Sequence, residues 1–231
     1  GLIDQAKSQL WKIVNELAKA KCGDAAPKLS IALYEYGNDN LPAAEGYIRM
    51  VTQMTTDLDE ISRDLFSLRT NGGQEYCAQV IHAAQKQLDW GNSADDYKVI
   101  FIAGNEPFNQ GNKAYQGVCE KARSMGIVVN TIFCGNFREG INTSWKTGAI
   151  ITGGEYMSIN QDSRTVYVNT PYDGDIVKLN EKLNDTYIYY GQNGRSKKAM
   201  QSESLLAGAI SGVNYSKQPE NKFELSNLCN G

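Results

Sequence analysis

The chain has 231 residues, 41% of them hydrophobic, so it can bury a sizeable core and is too apolar to be wholly disordered. Its formal net charge is −3 and it has no basic cluster beyond residues 195–198, which argues against a nucleic-acid partner. No apolar stretch approaches the roughly 20 residues of a membrane-spanning helix, so no transmembrane segment is predicted.

The first third of the chain predicts a helix, two strands and a second helix. An amphipathic pattern over residues 2–20 is typical of a helix, which Cys22 and Gly23 end. Residues 29–36 and 47–54 predict strands, and the turn at residues 37–40 leaves them within hairpin reach. Thr56 or Asp57 then caps a short helix. A glycine loop over residues 70–75 leads into a helix over residues 76–88.

The middle of the chain alternates buried strands with helices. A strand over residues 98–103 ends in Gly104, and a helix over residues 115–125 ends at Gly126. A buried strand at 127–133, a helix at 145–151, a small hairpin of 156–159 with 165–168, and an amphipathic helix at 173–183 follow. Near-continuous apolar strands between helices predict an α/β fold, with a mainly parallel sheet covered on both faces.

The composition divides the chain into three parts. Residues 1–160 are predicted to form the α/β domain, and residues 161–191 its continuation with a hairpin strand and a helix. Residues 192–231 are predicted to be a C-terminal extension with one helix and a tail.

Five widely spread cysteines show no CxxC pair and no metal-finger spacing. Zinc is therefore not expected, and we predict buried free thiols rather than disulfides. His82 is the single histidine, and the sequence supplies no nucleophile beside it, so an ordinary helix-surface histidine is expected.

The order of elements resembles a von Willebrand factor A (VWA) domain over roughly residues 1–159. The resemblance is carried by "LSIALYEYGNDN", "TTDLDEISRDLFSLRTNGGQEYCAQVIHAA", "YKVIFIAGNEPF" and "GIVVNTIFCGN". It implies a doubly wound sheet with an antiparallel edge strand. The segment "TPYDGDIVKLNEKLNDTYIYYG" is similar to a continuation found in some bacterial proteins of this kind, which favours an extracytoplasmic location, in the periplasm or cell envelope of a bacterium.

The resemblance also implies a ligand site at the carboxyl ends of the central strands. In the family, three loops hold a divalent cation there, and a partner's carboxylate completes its coordination. Asn105 stands where the family has aspartate, with Glu106 beside it, and Gln74 or Glu75 stands where it has threonine. The first strand and its DxSxS loop are not in this sequence. A magnesium site formed by Asn105, Glu106 and Gln74 is therefore expected only if that loop belongs to the native protein.

The absent first strand has a structural consequence. In the family it occupies the middle of the sheet, so its two neighbours would keep unpaired backbone groups, each costing about 1–3 kcal/mol when buried. Three expectations follow: residues precede Gly1 in the native protein, another segment fills the gap, or two chains form a strand-exchanged dimer.

These observations predict a non-catalytic protein-binding module for adhesion or assembly. Its expected ligand is an acidic or polar side chain of a partner protein, bound by Asn105, Glu106, Gln74 and Glu75, with Phe108 as an apolar contact. This requires the bend at Gly72 to lie at the same end of the sheet as Asn105.

Several alternatives remain open. Asn105 and Glu106 could simply end a strand and cap the next helix. The glycine loop is expected to be a tight turn with positive φ at Gly72 or Gly73 rather than a phosphate cradle. The competing classes are an enzyme on a doubly wound α/β sheet, for which no cofactor fingerprint is present, and a purely structural envelope component.

Overall fold

The computed structural model describes residues 2–20, 27–69, 71–93 and 95–159. The predictions for residues 161–191 and 192–231 lie outside this part of the chain. The same holds for the strand at 165–168 and for the thiols of Cys22 and Cys229.

The described residues form helices and strands in the predicted order. The helices are α1 (Leu2–Lys19), α2 (Leu58–Ser67), α3 (Cys77–Gln87), α4 (Tyr115–Ser124), α5 (Phe137–Asn142) and α6 (Trp145–Thr152). The strands are β1 (Ile31–Tyr36), β2 (Ile48–Thr55), β3 (Lys98–Gly104), β4 (Ile127–Phe133) and β5 (Tyr156–Ser158).

The described strands form one parallel sheet and one antiparallel sheet. β3 pairs in parallel with β4 from Lys98 opposite Ile127 to Gly104 opposite Phe133, and β5 adds in parallel on the far side of β4. β1 and β2 pair as an antiparallel hairpin, with an irregularity in register between Ile31 and Tyr34. The mainly parallel α/β class with an antiparallel edge element is confirmed.

The two sheets are not joined by strand pairing among the described residues. Their order is β1–β2 and β3–β4–β5, so β1 and β3 each have one paired neighbour there. A side chain connects them instead, because the Tyr36 hydroxyl donates a 2.7 Å hydrogen bond to the carbonyl of Ala103. The three expectations about a central strand stay predictions.

Apolar side chains cover both faces of the parallel sheet, as a doubly wound arrangement requires. On one face, residues of α3, α4 and α6 form a core with β3 and β4 that includes the fully buried Trp145 and Val129. On the other face, Ile13 and Leu17 of α1 pack against Ile132 of β4. β4 is the most enclosed strand, since all its residues but one are buried.

Local signals account for two helix starts. The Asp57 side chain accepts hydrogen bonds from the backbone N–H groups of Asp59 at 3.1 Å and Glu60 at 3.2 Å, so Asp57, of the two predicted candidates, is the N-cap of α2. The sequence prediction missed α5, a six-residue helix capped in the same way by Asn136. Its shortness leaves too few turns for a periodic pattern.

Candidate ligand-binding site

Two loops that are distant in sequence meet at the carboxyl ends of β1 and β3. The glycine loop before α3 carries Gln74 and Glu75, and the loop after β3 carries Asn105 and Glu106. A Cβ atom on Gly73 would lie 3.9 Å from a carboxylate oxygen of Glu106, so the loops are direct neighbours. The four polar residues singled out from the sequence are therefore brought together at one end of the sheet.

Glu75 joins the two loops. Its Oε2 atom accepts hydrogen bonds from the backbone N–H of Asn105 at 3.0 Å and from that of Glu106 at 3.3 Å. Two successive backbone N–H groups that converge on one carboxylate oxygen form a small anion-binding concavity. The carboxylate of Glu75 thus faces the protein backbone rather than projecting from the rim.

Gln110 makes a second connection between the same loops. Its Oε1 accepts a 2.6 Å hydrogen bond from the backbone N–H of Glu75, and its Nε2 donates a 3.0 Å bond to the carbonyl of Gly73. One amide side chain therefore satisfies a donor and an acceptor of the glycine loop. The loop's conformation is fixed from both sides.

Two glycines near Glu75 have no room for a side chain. A Cβ atom at Gly104 would overlap the Glu75 carboxylate and the Tyr36 hydroxyl, and would meet the Trp145 ring at 3.0 Å. Gly72 has φ of +145°, and any side chain there would collide with Asp39. The prediction of a turn with positive φ at Gly72 or Gly73 is confirmed at Gly72.

Burial raises the pKa of Glu75 above its usual range, and the nearby charge of Glu106 raises it further. The backbone hydrogen bonds from Asn105 and Glu106 act in the opposite direction, because they favour the ionised carboxylate. Desolvation is the larger effect, so this carboxyl group is protonated more readily than an exposed glutamate.

The hydroxyl of the half-buried Tyr36 lies near the Glu75 carboxylate, since both approach Gly104. The Tyr36 hydroxyl is 3.7 Å from the Cys77 sulfur, and burial raises the pKa of both groups well above their usual values. Burial likewise raises the pKa of Cys134 to about 12. Cys77, Cys119 and Cys134 are free thiols in the core, so the prediction of buried unpaired cysteines is confirmed for these three.

The exposed rim consists of Gln74, Asn105 and Glu106. Gln74 and Asn105 are exposed and Glu106 is half-buried. The Gln74 amide oxygen accepts a 2.5 Å hydrogen bond from the Tyr76 hydroxyl, and the Asn105 amide nitrogen lies 3.5 Å from a Glu106 carboxylate oxygen. These polar groups face outward beside the concavity that Glu75 fills.

Phe108 lies in the core, which corrects its prediction as a ligand contact. Its side chain is 0% exposed and makes edge-to-face contacts with Tyr115, at 5.6 Å between ring centroids, and Trp145, at 5.2 Å. A fully buried ring cannot reach a partner at the surface. The packed ring of Phe108 instead helps to hold the loop after β3. Trp145 Nε1 also holds this loop, because it donates a 2.8 Å hydrogen bond to the Glu106 carbonyl.

The magnesium site predicted from Asn105, Glu106 and Gln74 stays a prediction, since it was expected only together with a DxSxS loop. Within the described ranges, no group of three or more His, Cys, Asp or Glu side chains is arranged to hold a metal. The Glu75 carboxylate already accepts two N–H groups, and the amide oxygen of Gln74 is bonded to Tyr76. A hard divalent cation prefers several carboxylate and water oxygens, and of Asn105, Glu106 and Gln74 only Glu106 offers a carboxylate.

Sequence reasoning missed three residues that form the site. Gln110 and Trp145 hold the loops by hydrogen bonds, and Asp39 enters from the β1–β2 connection, where its backbone N–H donates a 2.6 Å bond to the carbonyl of Asn71. No motif marks them, because each acts through one contact between segments distant in sequence. Only the turn residues around Asp39 gave a local signal.

His82 lies on α3, away from these loops. Burial lowers its pKa, and the charges of Lys113 and Lys86 lower it further. Among the described residues, no helix is both long and apolar enough to cross a bilayer.

Comparison with known proteins finds likeness at the level of structure. No family model matches the sequence, and no curated protein gives a significant match. The chain is similar to the SpRpn10 VWA domain with 14% identity and a TM-score of 0.47, covering 68% of this chain and 78% of that one.

Two further solved structures are similar. The hypothetical protein BatB from Bacteroides thetaiotaomicron has 12% identity and a TM-score of 0.49, over 78% of this chain and 87% of that one. Proximal thread matrix protein 1 from the mussel byssus has 13% identity and a TM-score of 0.46, over 82% of this chain and 56% of that one. At these identities the likeness concerns the fold alone. The mainly parallel α/β class itself rests on the described strands and helices.

Proposed function

We propose that this protein is a non-catalytic protein-binding module for adhesion or assembly. Its ligand site is the rim formed by Gln74, Asn105 and Glu106 at the carboxyl ends of β1 and β3. The partner presents an acidic or polar side chain there. A VWA-like fold is compatible with a protein-interaction or assembly role.

The observation that supports this proposal most directly is the joining of two distant loops by Glu75. Asn105 and Glu106 lie thirty and thirty-one residues beyond Glu75, yet both donate their backbone N–H groups to its carboxylate. Loops held rigidly by a scaffold are common sites of recognition, because the ordering of their side chains precedes binding. The exposed amides and the carboxylate on this rim supply both donors and acceptors for a polar group.

The assay is partner capture by the immobilised full chain from extracts of the producing cells, followed by binding of purified partner. The double variant Asn105→Ala with Glu106→Ala is expected to lose at least about tenfold in affinity, because both rim contacts disappear. The matched control is Asn92→Ala with Asp95→Ala, which removes one amide and one carboxylate from an exposed loop before β3. Unchanged capture by the rim variant would exclude this site.

A further inference from the structure

The concavity at the end of β3 has the features of a carboxylate-binding site. It presents the backbone N–H groups of Asn105 and Glu106 to a single oxygen, at 3.0 and 3.3 Å. Asn105 is exposed, and Glu75 and Glu106 are half-buried, so the concavity lies at the border between the surface and the interior. Its wall at Gly104 carries no side chain and admits the carboxylate at close range. The group in it comes from the protein's own Glu75.

We propose that Glu75 is an internal occupant of this site, and that a partner's carboxylate binds by exchanging with it at the two N–H groups. The inference rests on the proposed function, since it specifies how the same edge accepts an acidic side chain. In this exchange the N–H pair itself supplies the donors for the partner's carboxylate.

An incoming carboxylate must compete with the carboxylate of Glu75 for the two N–H groups. Glu75 is tethered to the loop, and a tethered group competes with a free ligand at a high effective concentration. Gln110 strengthens the tether, because its side chain holds the backbone on both sides of Gln74 through the N–H of Glu75 and the carbonyl of Gly73. The native site is therefore mostly self-occupied, and only a carboxylate supported by further contacts on the rim displaces Glu75.

Chemical rescue tests the site without any knowledge of the partner. In the full chain, Glu75→Ala removes the occupant and leaves the two N–H groups facing a space of carboxylate size. Sodium acetate, compared with sodium chloride at equal ionic strength, is expected to restore about half or more of the lost melting temperature, because a ligand that binds only the folded state stabilises it. Wild type and Glu75→Gln, whose sites stay filled, should respond equally to the two salts.

A second measurement uses the blocked pentapeptide Gly-Ser-Asp-Ser-Gly and its asparagine counterpart. The aspartate peptide should bind Glu75→Ala about tenfold more tightly than wild type, and the asparagine peptide should show no such gain. If Glu75→Ala does not fold in chloride, the folded fraction recovered in acetate becomes the readout.

Equal responses of all three proteins to acetate and chloride would overturn the inference, as would equal affinity of wild type and Glu75→Ala for the aspartate peptide. Neither measurement depends on the side chains of Asn105 or Glu106. A failure here is therefore separate from a failure of the rim variant in partner capture.

Discussion

Glu75 Oε2 lies 3.0 Å from the backbone nitrogen of Asn105, a residue thirty positions further along the chain, and accepts its hydrogen bond. This contact holds the glycine loop against the end of β3. This carboxylate and the Gln110 amide therefore hold the polar residues of the two loops together.

Two substitutions of Glu75 distinguish the contribution of its hydrogen bonds to stability from that of its charge. Glu75→Ala leaves two backbone N–H groups without their acceptor and should lower the free energy of unfolding by about 1–3 kcal/mol. Glu75→Gln keeps an acceptor oxygen of similar reach and should cost less. Urea denaturation of both variants provides the comparison, and equal losses would mean that the N–H groups find other partners.

The raised pKa of Glu75 predicts a pH dependence of stability with a definite sign. Between the ordinary glutamate pKa and the raised value, the folded protein holds a proton that the unfolded chain releases. This contribution is fully present below the unfolded pKa, and it is lost as the pH rises through the folded pKa.

Unfolding free energies of wild type and Glu75→Gln across this pH window measure the effect. The wild-type value should fall with rising pH relative to that of Glu75→Gln, in which position 75 does not titrate. Glu106→Gln should move the window to lower pH, because the charge of Glu106 helps to raise the pKa of Glu75. A constant difference between wild type and Glu75→Gln would contradict the assignment.

Two glycine substitutions should have opposite effects. Gly104→Ala places a methyl group against the Glu75 carboxylate and the Tyr36 hydroxyl, and should cost about 1–3 kcal/mol of stability. Gly117→Ala, within α4, meets nothing within 4 Å and should gain about 0.5–1 kcal/mol, because alanine favours the helix. Thermal unfolding distinguishes them, and a neutral Gly104→Ala would show that the loops can shift apart.

Phe108→Ala tests the placement of this ring in the core. Removing a fully buried phenylalanine should cost about 3–5 kcal/mol, since it opens a cavity against Tyr115 and Trp145. Phe137→Ala is a matched control, because that side chain is 47% exposed, and it should cost much less. Similar losses for the two variants in denaturant titrations would place Phe108 near the surface.

The fold could be predicted further than the site. Buried strands such as residues 127–133 carry a continuous apolar signal, and the Asp57 cap lies directly before its helix, so both are local properties of the sequence. The meeting of the loops at residues 72–75 and 104–106 was expected from the family resemblance, because the first of these loops joins α2 to α3 and follows no strand. That part of the site was predictable.

Side-chain direction was not predictable from the same patterns. Glu75 points inward because it accepts hydrogen bonds from two N–H groups of a loop thirty residues further along the chain. Phe108 points inward because its ring packs against Trp145 and Tyr115. Neither partner is close in sequence. Glu75 and Phe108 were therefore both predicted to contact a ligand at the surface, although only Glu75 lies near the rim.

The separate pairing of the two sheets has a consequence for their motions. The β1–β2 hairpin exchanges strand hydrogen bonds only within itself among the described residues, and Tyr36 links it to β3 through one hydroxyl. Amide hydrogen exchange should therefore fall into two tiers, with slow deuterium uptake in β4 and faster uptake in β1 and β2. The hairpin would then open as its own cooperative unit while the parallel sheet stays closed.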